Sequence, residues 1–149
     1  DRLRSRGLGD VYKRQEQVKE LEKHSIAHFY GFQSDPRPFY IEADCVVLPS
    51  YHEGMSNVLL EAAATGRPVI TSNIPGCRES VENGKSGLLV EVKNKEMLYD
   101  AMKEMLHCSR EEREQMGQAG REKMEKEFRK EVVVEKTVQS LREDEKRDF

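Results

Sequence analysis

Three short apolar runs set at helix-length intervals constrain this chain more than any other feature. Cys45-Val-Val-Leu48 lies between Asp44 and Pro49, Val69-Ile-Thr-Ser72 follows Gly66-Arg-Pro, and Gly87–Val92 completes the series. Continuous runs of this kind suit strands of a parallel sheet, buried on both faces. Asn57–Thr65 reads as a helix stopped by Gly66. Beyond the third run, Leu98, Ala101, Met102, Met105 and Leu106 recur at helical spacing on one face. Alternating strands and helices with short links predict parallel strands joined by right-handed crossovers. The expected fold is α/β, a doubly wound, Rossmann-like parallel sheet with flanking helices.

The flanking segments are read in the same way. Glu16–Lys23 is the end of a helix, Ile26–Phe32 a strand closed by Gly31, Pro38–Ala43 a helical turn and Pro75-Gly76 a tight turn. Ser109-Arg-Glu-Glu112 has the form of a capping box opening a further helix. Charge divides the chain unevenly. Between Cys45 and Val92 only eight of 48 residues are charged, whereas 23 of the 40 from Arg110 to Phe149 are. The first stretch can pack a core and the second is expected to be largely solvated. Three parts follow: a leader over 1–15, an α/β body over 16–108 and charged helices over 109–149. The leader, DRLRSRGLGDVYKRQ, resembles a translated sequencing-adaptor scar, which would start native sequence near Glu16; a disordered native leader is the other reading.

Composition narrows the function. A length of 149 residues fits about one ordinary domain. A net charge of −3 lacks the basic excess of a nucleic-acid binder. No stretch approaches the ~20 apolar residues of a membrane span. With no signal peptide in view, a cytoplasmic location is expected. Cys45, Cys77 and Cys108 are widely spaced and form no CxxC pair, so neither a disulfide framework nor a zinc site is expected.

The chemistry concentrates in Pro49-Ser-Tyr-His-Glu-Gly-Met-Ser-Asn-Val-Leu-Leu-Glu61, where a buried strand runs into a helix. Ligands of open α/β sheets bind outside the carboxyl ends of the strands. Ser56 is the expected N-cap, its hydroxyl accepting from the amide of Val58 or Leu59. A helix entrance offers free amides and about half a positive charge to a phosphate. Gly54 lets backbone approach a ligand closely. Glu61, four residues beyond Asn57, shares its helical face, with Val58, Leu59, Ala62 and Ala63 on the apolar one. Glu53 lies three residues before the cap, across the phosphate site from Glu61. Hydroxyl groups at both ends and phosphate between them describe a nucleotide-sugar.

Glu53 and Glu61 form a Glu-x7-Glu motif, preceded by LPSYHEG and followed by ATGRPVITSNIPGCRE and NGKSGLLV. Over roughly Ile26 to Leu106 this resembles the C-terminal, donor-binding domain of retaining glycosyltransferases of family 4, with the GT-B fold. The segment is most similar to bacterial enzymes that build capsule, O-antigen or other surface polysaccharides from UDP-sugars. The resemblance implies that Glu53 contacts the donor sugar near the reacting carbon, as an electrostatic stabiliser and positioner. It implies that the backbone of Gly54, Met55, Ser56 and Asn57 lies beside the sugar and diphosphate, and that Glu61 holds the ribose. It also implies no metal and no cofactor, the diphosphate being balanced by helix dipole and basic side chains, with front-face attack through an oxocarbenium-like transition state.

The family draws an Arg and a Lys from earlier strands of this domain, and an acceptor domain forms the other wall of its cleft. Neither has a counterpart in this chain, so the isolated polypeptide is expected to be inactive, its glycan or lipid-linked acceptor being met by the N-terminal domain. That domain usually carries the basic patch through which such enzymes associate peripherally with the inner face of the membrane. Two other readings stay open: a GT-B UDP-sugar epimerase or phosphorylase, and a non-catalytic nucleotide-binding module. His52 is read as a surface or packing residue before a ligand contact. Glu79 is read as an early-helix acid before a cleft residue. Cys45, Met97, Met102 and Met105 are read as core, and Met55 as harder to dismiss. Val134, Val138 and Leu141 form an apolar stripe expected to promote self-association.

Overall fold

The computed structural model describes residues 15–145. All of the leader except Gln15 lies outside them. One compact unit ends at Asp35 and a second begins at Pro36. In the first, helix α1 (15–23) stops at Ser25, which adopts φ 53°. The expected strand over Ile26–Phe32 does not form. The helix stop takes its leading amides instead: Ile26 and Ala27 donate to the Leu21 carbonyl, and Phe29 to the Glu22 carboxylate. Ile26, Phe29, Tyr30 and Phe32 are exposed.

The second unit runs α2 (Arg37–Glu42), β1 (Val46–Leu48), α3 (Asn57–Ala64), β2 (Val69–Ser72), a 3₁₀ turn (Arg78–Ser80), β3 (Gly87–Val90), α4 (Lys95–His107), α5 (Arg110–Glu127) and α6 (Lys130–Glu145). The strands are parallel in the order β1-β2-β3, with Val46 opposite Val69 and Val69 opposite Gly87. Side chains alternate across a strand, so neighbours on β2 serve opposite layers. Val69 joins Tyr40 of α2 with Leu59 and Ala62 of α3, while Ile70 joins Ala101 and Met105 of α4. The sheet is thus covered on both faces, as the doubly wound reading requires. Burial of a whole strand holds for β2 but not for β1, which is an edge among the described strands and leaves Val47 36% exposed.

The Gly-Arg-Pro-Val-Ile segment proves to be scaffolding. Gly66, at φ 74°, donates to the Ala63 carbonyl and Arg67 to the Ala62 carbonyl, which ends α3 in a Schellman turn. The Arg67 guanidinium donates to the Ile41 carbonyl at 2.7 Å, and the Pro68 carbonyl accepts from Val46 N–H. Gly87 permits close strand pairing, since a Cβ there would lie 2.1 Å from the Val69 carbonyl oxygen.

The charged tail is largely exposed, as its composition implies, but α5 also packs against the body. The capping box at Ser109 and Glu112 forms in both directions, and α5 buries Gly117, Gly120 and Met124. A Cβ on Gly117 would lie 1.9 Å from the Gly66 carbonyl oxygen, so bare helix backbone rests on the end of α3. Part of the core expectation is corrected. Met105 is buried, but Met97 and Met102 are exposed, Met102 beside an open hollow that it lines with Val47 and Leu106. Cys45, preceding the edge strand, is half-buried and packs against the Ile70 and Met105 cluster, in keeping with the core reading. Val134 and Val138 of α6 are exposed as expected, while the Leu141 side chain lies outside the described residues.

Candidate functional site

The loop between β1 and α3 carries the motif and is anchored by the turn after β2. Ser56 N–H donates to the Gly76 carbonyl at 3.1 Å. A Cβ on Gly76 would lie 1.6 Å from the Gly54 carbonyl oxygen and 2.7 Å from that of Glu53, and Gly76 adopts φ 86°. Only glycine allows both the close approach and the left-handed backbone. Glu79, in the first turn of the 3₁₀ segment, accepts from Gly76 N–H at 2.8 Å. Its contact supports the loop from beneath, in keeping with an early-helix acid. Gly54 differs from Gly76: a Cβ there would meet no atom within 4 Å.

The entrance of α3 is uncapped. Ser56 holds the N-cap position with extended backbone, but its hydroxyl makes no cap hydrogen bond and the first turn holds no acid. The expected bond to Val58 or Leu59 is therefore absent, the Ser56 side chain being buried in the loop packing. α4 and α5 are closed instead: Asn94 accepts from the Met97 amide and Ser109 from the Glu112 amide. The first-turn amides of α3 have no partner within the helix and none from a cap side chain. Leu59, Ala62 and Ala63 form the buried face, but Val58 stands 40% exposed in the first turn. Asn57 and Glu61 are exposed, as their shared face predicts.

Each motif acid is held by a hydroxyl. Ser50 Oγ donates to Glu53 Oε1 at 2.8 Å, and the Tyr40 hydroxyl donates to Glu61 Oε2 at 3.2 Å. Burial raises the Tyr40 phenol above its ordinary range, and the neighbouring Glu61 carboxylate raises it further. Ser50 lies three residues before Glu53, a spacing visible in the sequence, whereas Tyr40 stands 21 residues before Glu61 on another helix and meets it only through packing. His52 is exposed, and Met55 is 49% exposed.

Two hollows of this unit lie away from the motif residues. One of about 540 Å³ is lined by Arg67, Arg113 and Arg121, and an apolar one of about 380 Å³ by Val47, Met102 and Leu106. Glu53, Gly54, Met55, Ser56, Asn57 and Glu61 line neither; they form an open ledge at the strands' carboxyl ends. Among the described residues, no three His, Cys, Asp or Glu side chains cluster as a metal site. No helix there is long and apolar enough to cross a membrane.

Known proteins resemble this chain in sequence or in fold. The capsular polysaccharide biosynthesis glycosyltransferase CapM of Staphylococcus aureus is 33% identical over 102 residues, covering 68% of this chain and 27% of CapM. Sucrose-phosphate synthase of Thermosynechococcus elongatus superposes with TM-score 0.73 at 28% identity, over 89% of this chain and 34% of its own. HepE of Anabaena, solved in complex with UDP, gives TM-score 0.78 at 20% identity, over 89% of this chain and 36% of its own. The chain therefore spans about a third of the length of these relatives. The model of the family described as glycosyl transferases group 1 matches residues 7–123. With a parallel sheet covered on both faces and that match over most of its length, the chain belongs to the group 1 glycosyltransferases and has the fold of part of a GT-B enzyme.

Proposed function

We propose that this polypeptide is the donor-binding part of a retaining glycosyltransferase that transfers a sugar from a UDP-sugar to a growing polysaccharide or lipid-linked acceptor. The observation carrying the proposal is the uncapped entrance of α3, with Glu53 before it and Glu61 one turn inside it. Free amides and the helix dipole suit the diphosphate, so the reading needs no metal ion and no cofactor. The open space at Gly54 admits the hexose against bare backbone. Glu53 then stabilises the positive charge that develops at the sugar carbon as the acceptor hydroxyl attacks from the face the diphosphate leaves. Glu61 takes the ribose hydroxyls.

UDP as the nucleotide draws support from the UDP complex of HepE, and a surface-polysaccharide acceptor from CapM. The acceptor is assigned to a second, N-terminal domain, and this chain alone is proposed to be inactive. The complete enzyme is assigned to the cytoplasm, peripheral at the inner face of the membrane. Hydrogen exchange tests the core of the reading: UDP protects the amides of Gly54 to Leu60, and a UDP-sugar adds protection at Gly54 and Met55. Absence of protection in that window overturns it. Protection by UDP with no increment from any UDP-sugar would favour a plain nucleotide-binding module.

A further inference from the structure

Two non-glycine residues among those described have positive φ, Ser25 at 53° and Lys93 at 64°. Ser25 ends α1, where a left-handed residue is routine. Lys93 ends no helix. It sits in the turn from β3 to α4, where Asn94 N–H donates to the Glu91 carbonyl at 3.3 Å. Glycine would take that conformation without strain, so a lysine there points to its side chain. The Lys93 ammonium stands over the Tyr51 ring, 5.9 Å from its centroid. Both line a hollow of about 110 Å³ with Pro49, Ser72 and Val90, at the carboxyl ends of all three strands. Tyr51 lies two residues before Glu53 and is 59% exposed.

We infer that Lys93 is a positioning residue, fastening the Tyr51–Glu53 stretch to the far strand of the sheet through its cation–π contact. The loop is pinned at its α3 end by Ser56 and Gly76. Lys93 supplies the second attachment at the β1 end, which leaves Glu53 held from both sides. The inference deepens the proposed function, since the loop it holds is the one assigned to the donor sugar.

The test sets stability against loop order. Lys93→Gly removes both the strained φ and the contact. Its Tm should stay level or rise, while the Tyr51–Met55 amides of the ligand-free chain exchange about two- to fivefold faster, the range expected for an exposed cation–π contact. The Met97 amide, bonded to Asn94, should keep its protection, which separates this effect from a melted α4 start. Lys93→Arg should restore slow exchange, and Tyr51→Leu should reproduce the fast exchange. Unchanged loop exchange in Lys93→Gly, or Lys93→Arg behaving like Lys93→Gly, overturns the assignment. These readouts need no nucleotide, so failure of the parent chain to bind UDP counts against the proposed function and leaves this inference standing.

Discussion

Gly76 and Gly54 meet backbone to backbone: a single methyl group on Gly76 would fall 1.6 Å from the Gly54 carbonyl oxygen. The contact brings the turn after β2 under the loop after β1, and Ser56 N–H seals it with a hydrogen bond to the Gly76 carbonyl. The position of the motif loop thus depends on a residue twenty or more positions away. Gly76→Ala should destabilise the chain by about 2–4 kcal/mol, through the clash and the left-handed φ together. A Tm within a degree of the parent, with UDP protection of the α3 entrance intact, would refute this account.

Capping should separate the three helix starts. Ser109→Ala and Asn94→Ala each remove a cap bond and should cost about 1 kcal/mol. Ser56→Ala removes no cap bond and should cost less than either. Urea denaturation of the three variants gives the order directly, and Ser56→Ala as the most damaging of them would contradict the geometry.

The two acids should fail differently. In the enzyme with its acceptor domain, Glu53→Gln should lower turnover by roughly 10²–10³ with little change in UDP affinity. Glu61→Gln should weaken UDP binding about tenfold, the loss of a charge-assisted hydrogen bond. Tyr40→Phe releases Glu61 and should weaken UDP in the same direction but by less. Calorimetry with UDP beside steady-state rates separates the cases; interchanged effects of the two glutamate variants would reverse the roles.

Burial pushes the Cys45 thiol up to about 11 from an ordinary value of 9.0. Less thiolate means slower alkylation, by roughly 100-fold at pH 8 relative to a free thiol. The sign for stability follows. Because the folded value lies above the unfolded one, this contribution is whole below pH 9 and is lost as pH rises toward 11. Mass-resolved iodoacetamide kinetics at Cys45 provide the measurement, and labelling at the free-thiol rate would rule the buried environment out.

Val133, Val134 and Val138 stand exposed along α6 at 45%, 53% and 41%. Val134→Lys with Val138→Lys should lower concentration-dependent association in sedimentation while leaving Tm nearly unchanged. Equal association in parent and double variant would show that the stripe is not the contact.

Periodicity and turn chemistry alone determined the α/β architecture here, because both act over a few residues. The apolar runs became β1, β2 and β3, Gly66 became the helix stop and Ser109 with Glu112 the capping box. The Glu-x7-Glu segment likewise falls where a strand runs into a helix, on the β1–α3 loop and the start of α3. Tertiary structure decided what depends on distant neighbours. Ile26–Phe32 reads as a strand, yet a strand is defined by a ladder partner, and its leading amides turn back to α1. Tyr40 reaches Glu61, Gly76 lies under Gly54 and Lys93 stands over Tyr51 only once the crossovers bring them together. The same holds for α5, whose charged composition conceals Gly117 resting on Gly66. Local preference selects the elements, but closeness between segments twenty or more residues apart is fixed by how the whole sheet and its helices pack.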